Sequence, residues 1–121
     1  MPNWCWNELI VRGEPETVDE LTSAILTEEE GEFGARWLLE FEDFDADCET
    51  NVYRATEEEL RVGFTTRNVP PLEVVIALSA RHPALWLGLR YHEPSNEIFG
   101  ALQCRGGQVL GDGLSEPEDA P

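Results

Sequence analysis

The run Trp4-Cys5-Trp6-Asn7-Glu8-Leu9-Ile10-Val11-Arg12, closed by Gly13-Glu14-Pro15, constrains the fold more than any other stretch. Trp6, Leu9 and Val11 favour extended backbone, and the Gly-Glu-Pro break ends it. Alternation is interrupted because Ile10 falls between Leu9 and Val11. A strand covered on both faces reads this way. Chain termini fray unless a sheet holds them. Residues 5–12 are therefore expected as a central strand, with the rest of the chain built around it.

Glu14-Pro15-Glu16 reads as a helix start, since proline suits the first turn and acids there complement the helix dipole. Val18, Leu21, Ile25 and Leu26 recur at helical spacing. The helix is expected to stop around Glu28-Glu29-Glu30-Gly31, where three acids oppose the dipole. Residues 32–50 fit an insertion in which Trp37, Phe41 and Phe44 act as aromatic anchors within an acidic surface. Arg36–Phe41 is open to strand or helical turn, and 50–54 reads as a short strand. Leu60–Thr66 alternates strictly and is a strand with Leu60, Val62 and Phe64 on one face. Pro70-Pro71 opens a second helix, whose buried face is Val74, Val75, Leu78 and Ala77 and which ends before Pro83. Leu85–Tyr91 and Ile98–Cys104 read as a hairpin. Gly106-Gly107 turns the chain into a short last strand, Gln108–Leu110. The order β-α-(acidic insertion)-β-α-β-β predicts an α+β, ferredoxin-like two-layer sandwich, mainly antiparallel, with two helices on one face. One domain is expected over 1–111, with the acidic insertion at about 28–54 and an acidic flexible tail at 112–121.

Composition matters here through charge. The 121 residues hold 25 acids against 8 bases, net −17, and every base is arginine. From Glu14 to Glu59 there are 17 acids and two arginines, −15; from Leu60 to Gly111 three acids and five arginines, +2; the tail adds −4. Such a balance argues against direct nucleic-acid binding, which needs cationic patches. It suits a cationic partner or a solubilising surface. No apolar run is long enough to span a membrane, and no signal-peptide pattern opens the chain, so a cytoplasmic location is expected. Cys5, Cys48 and Cys104 are odd in number and widely spaced, as reduced thiols are.

The opening Met1-Pro2-Asn3-Trp4-Cys5 with Asn7, Leu9 and Gly13, the Pro70-Pro71 helix start, and Leu89-Arg90-Tyr91-His92-Glu93-Pro94 leading to Phe99-Gly100 resemble the YubB-type ferredoxin-like domain of phage and plasmid proteins. The resemblance covers residues 1–13 and 58–111, and the acidic stretch 28–50 departs from it. It implies the fold and a mobile-element origin, and it carries no catalytic residues. Small acidic proteins of mobile elements often resemble inhibitors of host defence, including anti-CRISPR proteins that occupy the DNA path of an effector complex.

Asp43-x-Asp45-x-Asp47-x-Glu49 has the look of a calcium loop, but the glycine and the bidentate glutamate that such a loop needs are replaced by Cys48 and Arg54. No metal and no cofactor is expected. His82 and His92 lack a nucleophile signature nearby. Cys5 reads as a buried thiol, and at least one of Trp4 and Trp6 as core. The functional expectation rests on Glu28, Glu29, Glu30, Glu32, Glu40, Glu42, Asp43, Asp45 and Asp47. These would present carboxylates, good bidentate acceptors for arginine, to a nucleic-acid channel. The expected activity is a non-enzymatic DNA mimic that blocks a cationic host complex, a CRISPR effector subunit that binds DNA. The alternative is an accessory domain of plasmid or phage replication or conjugation, binding protein through its sheet or aromatic patch. A third is an enzyme using His92 with nearby acids.

Overall fold

A computed structural model describes residues 4–31, 34–39, 50–67, 70–94 and 98–111. The elements are β1 (Trp4–Arg12), α1 (Pro15–Ile25), β2 (Leu26–Gly31), β3 (Gly34–Leu39), β4 (Asn51–Thr56), β5 (Glu59–Arg67), α2 (Leu72–Arg81), β6 (Trp86–Glu93), β7 (Ile98–Arg105) and β8 (Gln108–Gly111). Six strands form one antiparallel sheet in the order β4-β5-β1-β6-β7-β8, while β2 and β3 pair as a separate hairpin. The opening run is thus an interior strand, bonded to β5 on one side and β6 on the other. β1 and β4 run in the same direction with β5 between them, and β5 and β6 do so with β1 between them.

The register explains the core. Leu9 faces Val62 on β5 and Leu89 on β6; Val11 faces Leu60 and Leu87. Leu102 and Cys104 on β7 continue these rows. All are buried, together with Val18, Leu21 and Ile25 of α1 and Val75 and Leu78 of α2. One pleat face of the sheet therefore packs on both helices, giving two layers. On α2 the buried residues are Val75, Leu78 and Ser79, whereas Val74 is half-buried and Ala77 exposed.

The helix α1 ends earlier than its sequence predicts. The N–H of Leu26 bonds to the Thr22 carbonyl, and Leu26 itself is extended (φ −120°, ψ 132°). Glu28–Gly31 are not a helix end but part of β2, paired with 34–37 of β3. Adding three acids to a helix C-terminus costs dipole energy, and a hairpin partner removes that conflict. Residues 36–39 accordingly resolve as strand. Residues 51–54, assigned to the insertion by sequence, lie in β4, where Val52 pairs with Val62. The Arg54 guanidinium donates to Asp19 on α1 at 2.8 Å, tying that edge to the helix layer.

Gly13 and Gly100 have steric explanations. A Cβ on Gly13 would lie 2.5 Å from Leu85 Cδ2, and one on Gly100 would lie 2.5 Å from the Tyr91 hydroxyl and 2.7 Å from its ring. Gly100 is paired with Tyr91 across β6 and β7, and the ring lies over it. We expect Gly100→Ala to lower stability by about 1–3 kcal/mol, the usual cost of overpacking, read as a reduced urea midpoint. Gly106 (φ 60°) and Gly107 (φ 81°) form the β7–β8 turn in the left-handed region, as a two-residue primed turn requires. The Gly107 N–H donates to the Ser79 hydroxyl, which pins this turn to α2.

Candidate functional site

Of the nine acids on which the functional expectation rests, Glu28, Glu29 and Glu30 are consecutive positions of β2, opposite Trp37, Arg36 and Ala35 of β3. Positions 28 and 30 fall on one face of that hairpin and 29 on the other, because strands alternate. Glu32, Glu40, Glu42, Asp43, Asp45 and Asp47 lie outside the described residues, as do the calcium-like stretch, Phe41, Phe44 and Cys48. Among the described residues, no group of three His, Cys, Asp or Glu side chains converges on one point, and no helix is long and apolar enough to cross a membrane.

Arg12, Arg61 and Arg90 of the sheet are paired with acids outside the 28–47 segment. On the face turned away from the helices, Arg12 pairs with Glu59. Arg61 reaches Glu59 at 3.0 Å and Glu8 at 3.6 Å. Arg90 reaches Glu8 at 3.5 Å. The five side chains form a line of alternating sign across β6, β1 and β5. Each exposed pair contributes at most about 1 kcal/mol. The line does fix where the cations go. Within 28–47, the only arginine to set against the nine acids is Arg36. The carboxylates of that segment therefore have almost no local compensation in the sequence.

The same open face carries aromatic side chains. Trp4 and Trp6 lie on it, since Cys5, Asn7, Leu9 and Val11 take the helix side. Neither tryptophan joins the core, contrary to the expectation for at least one of them: Trp4 is half-buried and Trp6 is 60% exposed. Trp6 pairs with His92, and His92 with Phe99. The imidazole and the Phe99 ring meet edge-on with centroids 6.3 Å apart. Phe99 is 76% exposed. The buried tryptophan of this face is Trp86, which lies under the Arg12 guanidinium and donates its indole N–H to Gln103 at 3.2 Å. The sequence carried a signal for this. The positions of β1 that share parity with Trp4 and Trp6 include Glu8 and Arg12, although Ile10 among them is fully buried.

On the helix side, at the Trp4 end of the sheet, Cys5, Asn7, Thr66 and Glu93 are buried polar residues. The Asn7 amide donates to the Cys5 carbonyl at 3.2 Å and to the Thr66 hydroxyl at 3.1 Å. The Cys5 thiol donates to the Asn7 side-chain oxygen at 3.6 Å. Asn7 is thus in the motif because it satisfies buried polar groups. Burial pushes the Cys5 and Cys104 thiols up from their ordinary value, Cys5 in spite of its hydrogen bonding to Thr66. Raised thiols are poor nucleophiles. They also set a pH dependence. As pH rises past the ordinary thiol range, about 8.5, the unfolded chain releases these protons first, so stability falls. Urea midpoints measured at successive pH values above neutrality should decline on the alkaline side, and replacing Cys5 by Ala should reduce that decline.

A cleft of about 670 Å³ opens at the far end of the sheet, between Arg12, Glu58, Glu59 and Arg105. His92 is not in its lining. His82 caps the C-terminal end of α2.

No family model matches the sequence, and no curated protein matches it. One solved structure is similar. It is a protein api92 from Yersinia pseudotuberculosis, described with the family model DUF1281, at 23% identity and a TM-score of 0.49. The match takes in 66% of this chain and 27% of that one, so this chain spans about a quarter of its neighbour's length.

Proposed function

We propose that this protein is a non-enzymatic inhibitor from a phage or plasmid, cytoplasmic in the host cell. Its acidic segment occupies the DNA-binding surface of a cationic host defence complex, a CRISPR effector being the leading case. The scaffold on this reading is a ferredoxin-like domain of the YubB type. The alternating directions of β4, β5, β1 and β6 support that finer assignment, as do the structural roles of Asn7, Gly13 and Gly100.

One observation carries the functional reading, and it is the separation of charge. Arg12, Arg54, Arg61 and Arg90 are paired with Glu8, Asp19 and Glu59, while the sequence of 28–47 sets nine acids against one arginine, Arg36. A segment with nine acids and one arginine in its sequence attracts an arginine- and lysine-lined channel and speeds encounter with it.

The test is capture on the immobilised protein from nuclease-treated host lysate. Nucleic-acid-binding complexes should be retained at about 0.05 M salt and released at about 0.5 M, where the Debye length shrinks several-fold. Retention that ignores salt, or enrichment of proteins that bind no nucleic acid, contradicts the reading.

A further inference from the structure

The cleft at the far end of the sheet carries opposite charges at its two sides. Its volume of about 670 Å³ lies in the range of small-molecule sites. Its lining crosses the strand ends in the order β5, β1, β6, β7. Glu58 stands at the β5 side, in the turn before that strand, and Arg105 at the β7 side. Between them, Arg12 and Glu59 pair with each other and are nearly buried, with 11% and 13% of their side chains exposed. Arg61 holds the same Glu59 carboxylate at 3.0 Å. Glu58 and Arg105 are exposed, and among the described residues neither is in an ion pair. Three strand spacings of about 4.8 Å set the two ends about 14 Å apart, which keeps these charges from meeting. Glu14 also lines the cleft, but it precedes α1, whose dipole offsets part of its charge.

Both sides are held in place by the fold. The Glu58 N–H donates to the Thr56 hydroxyl at 3.1 Å, and the Glu58 carbonyl accepts from the Gly13 N–H at 3.1 Å. Arg105 leads into the Gly106-Gly107 turn, where the Gly107 N–H donates to Ser79 of α2 at 2.9 Å. Backbone fixed in this way lowers the ordering cost of binding. The geometry points to a binding site for a small linear zwitterion, with a guanidinium or ammonium group at Glu58 and a carboxylate at Arg105. Charge selects this class. A ligand that is only anionic meets the glutamates of the β5 side, and one that is only cationic meets Arg105, so each end rejects what the other attracts. With both side chains reaching inward, the ligand's charges stand about 10 Å apart. An arginyl-glycine unit with a free C-terminus has that span, about 10 Å from guanidinium to carboxylate when extended.

The test is a titration of the isotope-labelled chain with N-acetyl-arginyl-glycine, followed by its amide NMR resonances at about 0.05 M salt. No host complex takes part, so the outcome is independent of the inhibitor proposal. The amides of Gly13, Glu58, Ala84 and Arg105 should shift together, with a dissociation constant of about 1 mM. N-acetyl-arginyl-glycinamide lacks the carboxylate, and N-acetyl-citrullyl-glycine lacks the cation. Each should bind about fivefold more weakly, the worth of one exposed ion pair. Glu58→Gln should bind the arginine and citrulline compounds alike, and Arg105→Gln should bind the acid and the amide alike. Both positions are exposed, and circular dichroism confirms that both variants remain folded. Wild-type amides that stay in place at about ten times the expected constant overturn the inference. So do shifts centred elsewhere, equal binding of the three compounds, or variants that discriminate as wild type does.

Discussion

On the proposed DNA-mimic reading, replacing Glu28, Glu30 and Glu42 together by lysine should weaken binding to the proposed effector by about a hundredfold with circular dichroism unchanged. Each reversal turns an attraction of a few tenths of a kcal/mol into a repulsion of similar size, about 1 kcal/mol per site. Three sites give about 3 kcal/mol, and each 1.4 kcal/mol is tenfold in affinity. Glu29 is left alone for a structural reason. It stands opposite Arg36 in the β2–β3 register, and like charges directly across a strand pair destabilise it. Positions 28 and 30 face Trp37 and Ala35, so lysine there opposes no cation. Titration of labelled variant and wild type against a purified effector measures the difference, and unchanged circular dichroism excludes unfolding as the cause.

Leu9→Ala should cost about 3 kcal/mol of stability, a large share of the roughly 5–15 kcal/mol that holds a domain folded. Leu9 is fully buried, on the interior strand, between Val62 and Leu89 on the flanking strands. Removing its side chain leaves a cavity beneath both helices that the sheet cannot close. Thermal unfolding should shift down by about 10 °C for a chain of this size. Trp6→Ala removes a larger side chain from the neighbouring face. It should cost within about 0.5 kcal/mol, because that side chain is mostly in water. The contrast separates the two faces of one strand.

Much of this was legible in the sequence where periodicity and burial agree. Leu60, Val62 and Phe64 alternate and face the core as their spacing predicts. Val18, Leu21 and Ile25 fall on one helical face and are buried. Legibility fails where pairing overrides local preference. Leu26 extends the apolar helical pattern of α1, yet it begins a strand. Glutamates have little β propensity, so β2 exists through its partner 34–39 and not through its own composition. The open face was hidden for another reason. Alternation puts Trp4 and Trp6 on the same side, but it does not say which side the helices cover. That is decided by Leu9 and Val11 of opposite parity, which pack on α1 and α2. The buried amide of Asn7 has no periodic signature, since its partners Cys5 and Thr66 are brought together by the β1–β5 register.

The central claim is that the acidic segment takes the place of DNA, and competition at equilibrium tests it most directly. A labelled duplex carrying the effector's target is titrated with the protein in the presence of a fixed amount of purified effector. Mimicry predicts that the duplex is displaced completely, with an apparent affinity for the protein that weakens in proportion to added duplex and falls steeply with salt. A ternary complex in which effector, duplex and protein coexist would contradict it.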